Sequence, residues 1–319
     1  MNIVIAGQFP SGVVEKFQTG LSDHKITVVT SQDEYNDLTT GDLIIQRSIQ
    51  SPSKIFQSHN GLKALIKWGA GYDSIDVQAA GEQGVQVANT PGVNAYAVAE
   101  LTVGLMIACA RNVVRQNNLT HNGVWDRKQY ADRMTTLSHK TVGIIGGGNI
   151  GRRVAALVQA FGAETVYYDA FRLATEAEKR NHLTFLPLEE LLATSDVVSI
   201  HVPLLDSTRH MIGKHELSLM KSTAIIVNTS RGGIIDDDAL YEALAGGKLA
   251  AAGLDCVENE NLTANPLASM ENVILTPHIG GTSNDLADEM VPTIIGMVQN
   301  FAKTGKLDHI VNKEYLRVG

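Results

Sequence analysis

A glycine-rich stretch near the middle of the chain has the residue types and spacing of a turn that binds phosphate groups. The apolar run Val142–Ile145 leads directly into Gly146-Gly147-Gly148-Asn149-Ile150-Gly151, and a helical pattern follows it. In such a strand–turn–helix, Gly146 would make the tight turn, Gly148 would let the backbone approach a pyrophosphate, and Gly151 would let the helix pack close to the strand. The helix N-terminus adds free N–H groups and a partial positive charge. The stretch therefore predicts a dinucleotide-binding site.

An acidic residue follows the next apolar segment at a distance that favours NAD as the dinucleotide. Asp169 comes directly after the predicted strand Thr165–Tyr168, 18 residues beyond Gly151. A carboxylate there can accept hydrogen bonds from both ribose hydroxyls, and its charge repels the 2′-phosphate of NADP. Arg172 keeps NADP open, because a nearby arginine can hold that phosphate. A glycine-rich turn alone is often only a turn, but strand, turn, helix and acid together favour the cofactor site.

Three charged side chains in the second half of the chain have the chemistry for hydride transfer to a carbonyl. Arg231, Glu260 and His278 each come shortly after a predicted strand. The reaction needs a proton donor for the carbonyl oxygen, which suits an imidazole, and a fixed cation for the substrate, which suits a guanidinium. A carboxylate beside the histidine would favour the imidazolium form and orient the ring. Taken singly, a histidine after a proline is often structural, and an arginine after a strand is often a capping or solvated group.

Two further strand ends, within residues 1–90, carry groups that could bind an anion. Arg47 follows the third predicted strand, and the segment Trp68–Asp73 follows the fourth. Gly69 and Gly71 would leave backbone N–H groups open to an anion such as a carboxylate. A plain glycine turn and a solvated arginine explain the same residues equally well, so the spacing alone does not decide.

The order of the elements indicates two consecutive α/β domains. Apolar strand segments alternate with helical patterns, which predicts parallel sheets covered by helices on both faces, with ligands at the carboxyl ends of the strands. The predicted strands are Ile3–Ala6, Ile26–Val29, Leu43–Gln46, Ala64–Lys67, Val85–Ala88, Val142–Ile145, Thr165–Tyr168, Val197–Ile200, Ala224–Asn228, Ala250–Leu254 and Val273–Leu275. The predicted helices include Val13–Leu21, Asp76–Gln83, Ala95–Arg111, Leu188–Ala193, Lys214–Met220, Asp238–Ala245 and Asp285–Ala302. Residues 112–140 are polar and are expected to be less regular.

These patterns predict two doubly wound parallel-sheet domains with a cleft between them. Residues 1–94 plus 286–319 are expected to form a flavodoxin-like substrate domain, because the chain leaves the first block at the turn-rich segment Asn89–Gly92 and its last helical stretch returns. Residues 95–285 are expected to form a Rossmann NAD-binding domain, because the glycine turn opens that block.

Composition and charge exclude several other classes of protein. The 319 residues are 44% hydrophobic and 19% charged, which is typical of a soluble globular protein, and the net charge of −8 argues against nucleic acid as a partner. Cys109 and Cys256 lie far apart with no metal-type spacing, so neither a disulfide framework nor a metal site is expected. The N-terminus lacks the basic region of a signal peptide, and Leu101–Ala110 is too short to span a bilayer. We therefore expect a cytoplasmic protein without a membrane partner.

The motifs, in this order, resemble the D-isomer-specific 2-hydroxyacid dehydrogenase family, and the resemblance covers almost the whole chain. The motifs that carry it are Gly69-Ala70-Gly71-Tyr72-Asp73, Asn89-Thr90-Pro91-Gly92, Ala99-Glu100-Leu101, the glycine turn, His201-Val202-Pro203-Leu204, Asn228–Asp236, Gly253-Leu254-Asp255 and Pro277-His278-Ile279-Gly280-Gly281. Arg231, Glu260 and His278 fall on the family's catalytic positions. Within the family, the chain resembles members of the phosphoglycerate, glycerate and hydroxypyruvate dehydrogenase type.

The resemblance implies a role for each matching residue. His278 would act as general acid in reduction and as base in oxidation, Glu260 would favour its protonated form, and Arg231 would polarise the carbonyl and hold the substrate carboxylate. Backbone N–H groups at Ala70 and Gly71 would help to bind that carboxylate. The residues implied in NAD binding are Gly146, Gly148, Asn149, Ile150, Gly151, Asp169, Val202, Pro203, Thr229, Ser230, Asp255 and Gly280, with Asp255 on the carboxamide.

The resemblance narrows the substrate without fixing it. Cys256-Val257 stands where the family usually has valine and an aromatic residue, and formate dehydrogenases of the family carry an amide at the position of Glu260, so formate is not expected. Because the sequence ends at Gly319, the regulatory domain of long phosphoglycerate dehydrogenases is expected to be absent. Arg47 lies where phosphoglycerate-type members often place an arginine that binds anions, but hydroxypyruvate and glyoxylate reductases are similar there. A small D-2-hydroxy acid or 2-oxo acid is expected, with 3-phosphoglycerate, glycerate and glyoxylate as the leading candidates.

Two alternative functions and one assembly are also considered. Some proteins of this fold are NAD-sensing corepressors with a similar triad, and measured turnover separates that function from an enzyme. An S-adenosylmethionine methyltransferase also uses a glycine turn and an acidic ribose ligand, but it leaves the three charged residues unexplained. By analogy with the family, a homodimer through the NAD-binding domain is expected, with Ala95–Trp125 contributing.

Overall fold

The structure, a computed structural model, describes residues 1–316 and divides the chain into two compact units. The first unit contains Met1–Asn94 and the residues from Gly281 onward, and the second unit is Ala95–Gly280. The chain enters the first unit again at Gly281, earlier than the expected residue 286. Gly281 packs closely against Asn94 of the same unit: a Cβ atom on Gly281 would lie 2.9 Å from the side-chain nitrogen of Asn94.

Strands and helices alternate through both units. The strands are β1 (Asn2–Ala6), β2 (Lys25–Val29), β3 (Leu43–Gln46), β4 (Ala64–Lys67), β5 (Gln86–Ala88), β6 (Thr141–Ile145), β7 (Glu164–Tyr168), β8 (Thr184–Phe185), β9 (Val197–Ile200), β10 (Ile225–Asn228), β11 (Ala251–Leu254) and β12 (Val273–Leu275). The α-helices are α1 (Val13–Gly20), α2 (Gln32–Asn36), α3 (Ser53–Ser58), α4 (Val77–Glu82), α5 (Ala95–Ala110), α6 (Val113–His121), α7 (Asn149–Ala160), α8 (Thr175–Asn181), α9 (Leu188–Thr194), α10 (Lys214–Leu219), α11 (Asp237–Ala245) and α12 (Leu286–Thr304). Short 3₁₀ helices lie at Ala131–Arg133, Pro266–Ser269 and Lys313–Tyr315.

The first unit is built on a five-stranded parallel sheet in the order β2-β1-β3-β4-β5. The central strand β3 is buried along its whole length, as expected of a parallel sheet covered on both faces. Ala6, Gln46 and Lys67 pair in one row at the carboxyl ends of β1, β3 and β4. The loops that follow these three strands therefore begin side by side.

The second unit is built on a seven-stranded parallel sheet in the order β12-β11-β10-β9-β6-β7-β8. The chain moves outward from β6 in one direction through β7 and β8 and then in the other through β9 to β12, so the switch in direction lies between β6 and β9. Parallel sheets of this type bind ligands at the carboxyl edge beside such a switch. The last residues of the five strands on that side pair in one row: Ile145, Ile200, Asn228, Leu254 and Leu275.

All eleven predicted strands are present, with ends within one residue of the prediction. Strand β8 was not predicted. It contains only two residues and pairs with β7 alone at the edge of the sheet, so it leaves no apolar run in the sequence. Helix α6 lies where an irregular polar segment was expected. None of its residues is buried, so it has no apolar face that a periodic pattern could reveal. Helices α2, α3 and α8 are also additions to the prediction, and each is short.

No single helix in residues 1–316 is both long enough and apolar enough to cross a membrane. Helices α5 and α6 together pass the same test of length and composition, with a bend of 63° between them.

Candidate active site

The glycine turn after β6 has the backbone geometry and the open space that a bound phosphate requires. Gly146 has a φ of +105°, and a Cβ atom there would lie 2.7 Å from the carbonyl oxygen of His201. A Cβ atom on Gly151 would lie 2.0 Å from the carbonyl oxygen of Gly146, so only glycine fits at the contact between α7 and the turn. A Cβ atom on Gly148, in contrast, would meet no atom of residues 1–316 within 4 Å beyond its chain neighbours, which leaves the backbone accessible. Asn149 begins the twelve-residue helix α7 and is exposed.

Asp169 is held beside this turn by the backbone. Its Oδ2 atom accepts a hydrogen bond from the N–H group of Gly147 (2.7 Å), and its Oδ1 atom accepts one from the N–H group of Phe171 (3.0 Å). Each carboxylate oxygen keeps a further lone pair. The residues around the turn thus fit a dinucleotide: open backbone at Gly148, a helix N-terminus, and an oriented carboxylate. The contact of Asp169 with a ribose stays a prediction.

Arg231 lies in a turn that is fixed by the buried side chain of Asn228. The amide nitrogen of Asn228 donates a hydrogen bond to the carbonyl oxygen of Arg231 (2.8 Å), and its amide oxygen accepts hydrogen bonds from the N–H (3.0 Å) and hydroxyl (2.6 Å) groups of Ser230. The Arg231 guanidinium donates to the carbonyl oxygen of Ser230 (2.7 Å). Thr229 is also engaged, because its hydroxyl lies 2.7 Å from that of Thr102 on α5. These bonds give the loop after β10 one defined conformation.

His278 lies in a loop that is held by the buried carboxylate of Asp255. That carboxylate accepts hydrogen bonds from the Thr276 hydroxyl (2.6 Å) and from the N–H groups of Ile279 (2.8 Å) and Gly280 (2.7 Å). The N–H group of His278 itself donates to the carbonyl oxygen of Asp255 (2.9 Å). His278 has a φ of +53°, which is uncommon for a residue other than glycine, and its side chain is exposed. Both oxygens of Asp255 are thus engaged within the protein, and its contact with the carboxamide of NAD stays a prediction.

Glu260 lies in an exposed loop after β11, and hydrogen bonds to helix α11 fix the position of this loop. The Oδ2 atom of Asp237, the first residue of α11, accepts hydrogen bonds from the N–H group of Glu258 (3.0 Å) and from the amide of Asn265 (3.2 Å). The same Asn265 amide donates to the carbonyl oxygen of Asn259 (3.0 Å). Burial raises the pKa of Asp237. Glu258 in turn contacts Nε2 of His210 at 2.8 Å.

The buried thiol of Cys256 lies near charged groups of the loops after β10 and β11 and of helix α11. Burial raises the pKa of this thiol to about 12, and the charges of Asp255, Arg231, Asp237 and Glu260 act on it as well. Arg231 and Glu260 are thus brought to the same end of the sheet. Within residues 1–316, however, no hydrogen bond or ion pair joins Glu260 to His278. Their partnership stays a prediction.

The remaining predicted cofactor contacts lie around the end of β9. Val202 is half-buried, and Pro203 is exposed and accepts a hydrogen bond on its carbonyl oxygen from the Thr208 hydroxyl (2.6 Å). Ile150, in the first turn of α7, is half-buried. His201 is a residue that carries no predicted role, yet its Nε2 atom lies 2.8 Å from the Ser199 hydroxyl and burial lowers its pKa to about 3. It is a neutral imidazole in the folded protein.

In the first unit, the loop after β4 presents free backbone N–H groups. Gly69 has a φ of +105°, its N–H group donates to the Thr90 hydroxyl (2.8 Å), and the Asn89 amide donates to the carbonyl oxygen of Ala70 (2.6 Å). Within the described part of the chain, the N–H groups of Ala70 and Gly71 donate no hydrogen bond. The loop can therefore offer two donors to an anion.

Arg47 is half-buried at the end of β3, and one nitrogen of its guanidinium donates to the carbonyl oxygen of Gln8 (2.5 Å). Burial lowers its pKa. It forms no ion pair with a carboxylate in residues 1–316. Arg47 thus has a structural contact and keeps donors for an anion.

Several residues that hold the site give no sequence signal of this supporting role. Asn228, Asp237 and Asn265 each fix a loop through hydrogen bonds of their side chains. The run Asp236-Asp237-Asp238 signals a helix start, and Asp236 does cap α11 by accepting a hydrogen bond from Ala239 (3.0 Å). Nothing in the sequence signals that Asp237 binds a loop 21 residues later. Within residues 1–316 no group of three or more His, Cys, Asp or Glu could hold a metal ion.

The fold and the site together define a dinucleotide-dependent oxidoreductase, and comparison with known proteins gives its family. Residues 103–280 match the model of the NAD-binding domain of D-isomer specific 2-hydroxyacid dehydrogenases. The chain is 42% identical over 244 residues to a hydroxypyruvate reductase from Thermotoga maritima, covering 76% of this chain and 78% of that one. It is 38% identical over 288 residues to a D-3-phosphoglycerate dehydrogenase from Methanocaldococcus jannaschii, covering 90% of this chain but only 54% of that enzyme, so it spans about half the length of that relative.

A solved structure agrees with these matches. The crystal structure of a glyoxylate reductase from Paecilomyes thermophila is similar with a TM-score of 0.86 and 29% identity, over 98% of this chain and 99% of that one. The chain belongs to the D-isomer specific 2-hydroxyacid dehydrogenase family. It is an NAD-dependent dehydrogenase of this family, and the two parallel-sheet α/β domains predicted for it are confirmed. None of the comparisons supports a corepressor.

Proposed function

We propose that this enzyme reduces small 2-oxo acids to D-2-hydroxy acids with NADH, and that hydroxypyruvate and glyoxylate are its substrates. The observation that carries the proposal is the row of paired strand ends in the second unit. The loops that carry Arg231, Glu260 and His278 follow β10, β11 and β12 of that row, and the glycine turn follows β6, which supports a site formed by the guanidinium, carboxylate and imidazole groups. Relatives named hydroxypyruvate reductase and glyoxylate reductase support the choice of substrates.

Bound NADH would supply the hydride, and the protein would supply the proton and the substrate contacts. Gly146, Gly148, Asn149, Ile150 and Gly151 would hold the pyrophosphate, and Asp169 would hold the adenosine ribose. The other residues of the proposed NAD site are Val202, Pro203, Thr229, Ser230, Asp255 and Gly280. In this arrangement the second unit is the NAD-binding domain.

Three side chains would act on the substrate. The guanidinium of Arg231 would bind the carboxylate of the 2-oxo acid and polarise its carbonyl group, because its planar set of N–H donors matches paired oxygens. The protonated imidazole of His278 would give its proton to the carbonyl oxygen as the hydride arrives at the carbon. Glu260 would favour the protonated imidazole by its charge. In the opposite direction, His278 would take the proton from the hydroxyl group of the D-2-hydroxy acid.

The first unit would bind the substrate carboxylate. The unused N–H groups of Ala70 and Gly71 are two donors that a carboxylate can accept from. Arg47 favours a second candidate, a phosphorylated 2-oxo acid such as 3-phosphohydroxypyruvate, because it is a half-buried cation without a carboxylate partner in the described residues. The relative named D-3-phosphoglycerate dehydrogenase supports this alternative.

The assembly and location that we propose follow from the surface and the cysteines. We propose a homodimer that forms through the second unit, because Trp125 is 87% exposed and Val113, Val114 and Val124 are exposed near it in the chain. We propose a cytoplasmic location, since both cysteines are free and buried. The net charge of −8 supports the absence of a nucleic-acid or membrane partner.

The function is tested by NADH oxidation with purified enzyme and a panel of hydroxypyruvate, glyoxylate, 3-phosphohydroxypyruvate, pyruvate and branched 2-oxo acids. We expect the highest kcat/KM for hydroxypyruvate or glyoxylate. Preference for the phosphorylated acid, lost in Arg47→Gln, would establish the second candidate instead. Binding of NADH without turnover of any acid in the panel would contradict the proposed reaction.

A further inference from the structure

Arg172 lies three residues after Asp169, in the loop where an arginine can hold the 2′-phosphate of NADP. In this protein its side chain is 62% exposed, but two of its three guanidinium nitrogens already donate to one carboxylate. Its Nε atom donates to Oε1 of Glu178 (2.8 Å), and one terminal nitrogen donates to Oε2 of the same carboxylate (3.2 Å). The guanidinium carbon also lies 5.0 Å from the ring centre of Phe185. Within residues 1–316 it forms no ion pair with Asp169.

Glu178 is itself fixed in place. Its side chain is only 11% exposed, and Oε1 accepts a hydrogen bond from the Tyr167 hydroxyl (2.7 Å). That hydroxyl accepts one from the N–H group of Leu173 (2.9 Å). Hydrogen bonds from Arg172 and Tyr167 hold the pKa of Glu178 below its ordinary value, so the group is an anion at neutral pH. Moving Arg172 away would leave a mostly buried carboxylate without its cation, which is unfavourable.

We propose that Glu178 is a determinant of cofactor preference, because it holds Arg172 in a two-point ion pair and makes that guanidinium unavailable to a 2′-phosphate. Two acidic residues then act together against NADP. Asp169 repels the phosphate, and Glu178 withholds the cation that could bind it. This inference rests on the proposed contact of Asp169 with the adenosine ribose.

The test measures dissociation constants for NADH and NADPH by titration of nicotinamide fluorescence, in the absence of substrate. All variants are made in an Asp169→Ser background, which removes the repelling charge. Arg172→Gln, Glu178→Gln and the two together are then added. Glu176→Gln is the matched control, because Glu176 is an exposed acid on the same helix α8, paired with Lys179 and not with Arg172.

In the Asp169→Ser background, we expect Arg172→Gln to change the Kd for NADPH less than about twofold, since the arginine is not available. Glu178→Gln is expected to lower the Kd for NADPH about tenfold, the value of one new charge-assisted hydrogen bond. Adding Arg172→Gln to that protein should abolish the gain. Glu176→Gln should leave the Kd for NADPH within about twofold, and the Kd for NADH should stay the same across the set.

Each other outcome overturns the inference. If Arg172→Gln alone weakens NADPH binding about tenfold, Arg172 already reaches the phosphate and is not withheld. If Glu178→Gln gives no gain in a protein whose circular dichroism spectrum is native, or a gain that survives Arg172→Gln, the ion pair does not control the preference. If Glu178→Gln does not fold, the Kd for NADPH of Asp169→Ser with and without Arg172→Gln still shows whether Arg172 contacts the phosphate. Failure of the proposed ribose contact is distinguishable, because Asp169→Ser would then leave the Kd for NADH unchanged.

Discussion

At the scale of single residues, the sequence reveals the candidate catalytic side chains but not the residues that hold their loops in place. Arg231, Glu260 and His278 stand out because guanidinium, carboxylate and imidazole groups after strands suit proton and hydride chemistry. Asp255 is predicted as a cofactor contact, yet the structure shows its carboxylate accepting three hydrogen bonds from the loop that carries His278. Such partners are distant in sequence, and no local pattern reveals them.

His201 gives the clearest residue-scale prediction for pH dependence. Burial lowers its pKa to about 3, whereas in the unfolded chain it titrates near its ordinary value of 6.5. As the pH falls below that value, the unfolded state takes up a proton and the folded state does not, so the folded state is destabilised. Because of His201, we expect the free energy of unfolding to fall by about 2 kcal/mol between pH 7 and pH 5.

Urea unfolding of the wild type and of His201→Gln, at pH 7 and pH 5, checks this prediction. Glutamine does not titrate and can still bond the Ser199 hydroxyl. His59, which is also buried with a lowered pKa, contributes equally to both proteins. A variant that loses as much stability as the wild type between the two pH values would show that His201 is not the group involved.

At the scale of elements, the strands of both sheets could be predicted because each is a short, continuous apolar run between turn signals. The two-residue strand β8 and helix α6 could not, since their residues have no periodic apolar face. The glycine turn was predictable in detail, because Gly146 and Gly151 are needed for backbone reasons that the sequence motif encodes. The hydrogen bonds by which helix α11 holds the Glu260 loop could not be predicted, because they join residues that are 21 positions apart in the sequence.

This support leads to a prediction for Asp237. Asp237→Ala removes the acceptor of the Glu258 and Asn265 hydrogen bonds and should let the Glu260 loop move. We expect kcat/KM for the 2-oxo acid to fall about tenfold to a hundredfold, because small displacements of catalytic groups are costly. The pH profile of reduction should shift in the same direction as in Glu260→Gln, while the Kd for NADH stays within about twofold.

Asp238→Ala is the matched control, because Asp238 lies in the same helical turn and is exposed. It should keep wild-type kcat/KM and the wild-type pH profile. If Asp237→Ala lowers the thermal midpoint but leaves the pH profile unchanged, the residue has only a structural role.

At the scale of the whole molecule, the division into two α/β units followed from the alternation of strands and helices, and the comparisons establish the family. The proposed dimer predicts sedimentation at twice the 34.3 kDa mass of the chain at micromolar concentration. Trp125→Ser should raise the dimer dissociation constant about a hundredfold, the size of effect that a central interface tryptophan has.

Phe161→Ser is the control for this experiment, since Phe161 is a half-exposed aromatic residue of the second unit outside Ala95–Trp125. It should leave the dimer intact. Sedimentation of the wild type at the mass of one chain would contradict the proposed dimer.

The measurement that tests the central claim most directly is the turnover of His278→Asn with the best 2-oxo acid, beside its Kd for NADH. Asparagine is chosen because it tolerates the φ of +53° at this position. We expect NADH to bind within about twofold of wild type while kcat falls about a thousandfold, the contribution of a positioned general acid. A folded His278→Asn enzyme that turns over within about tenfold of the wild type would contradict the assignment of His278 as the proton donor.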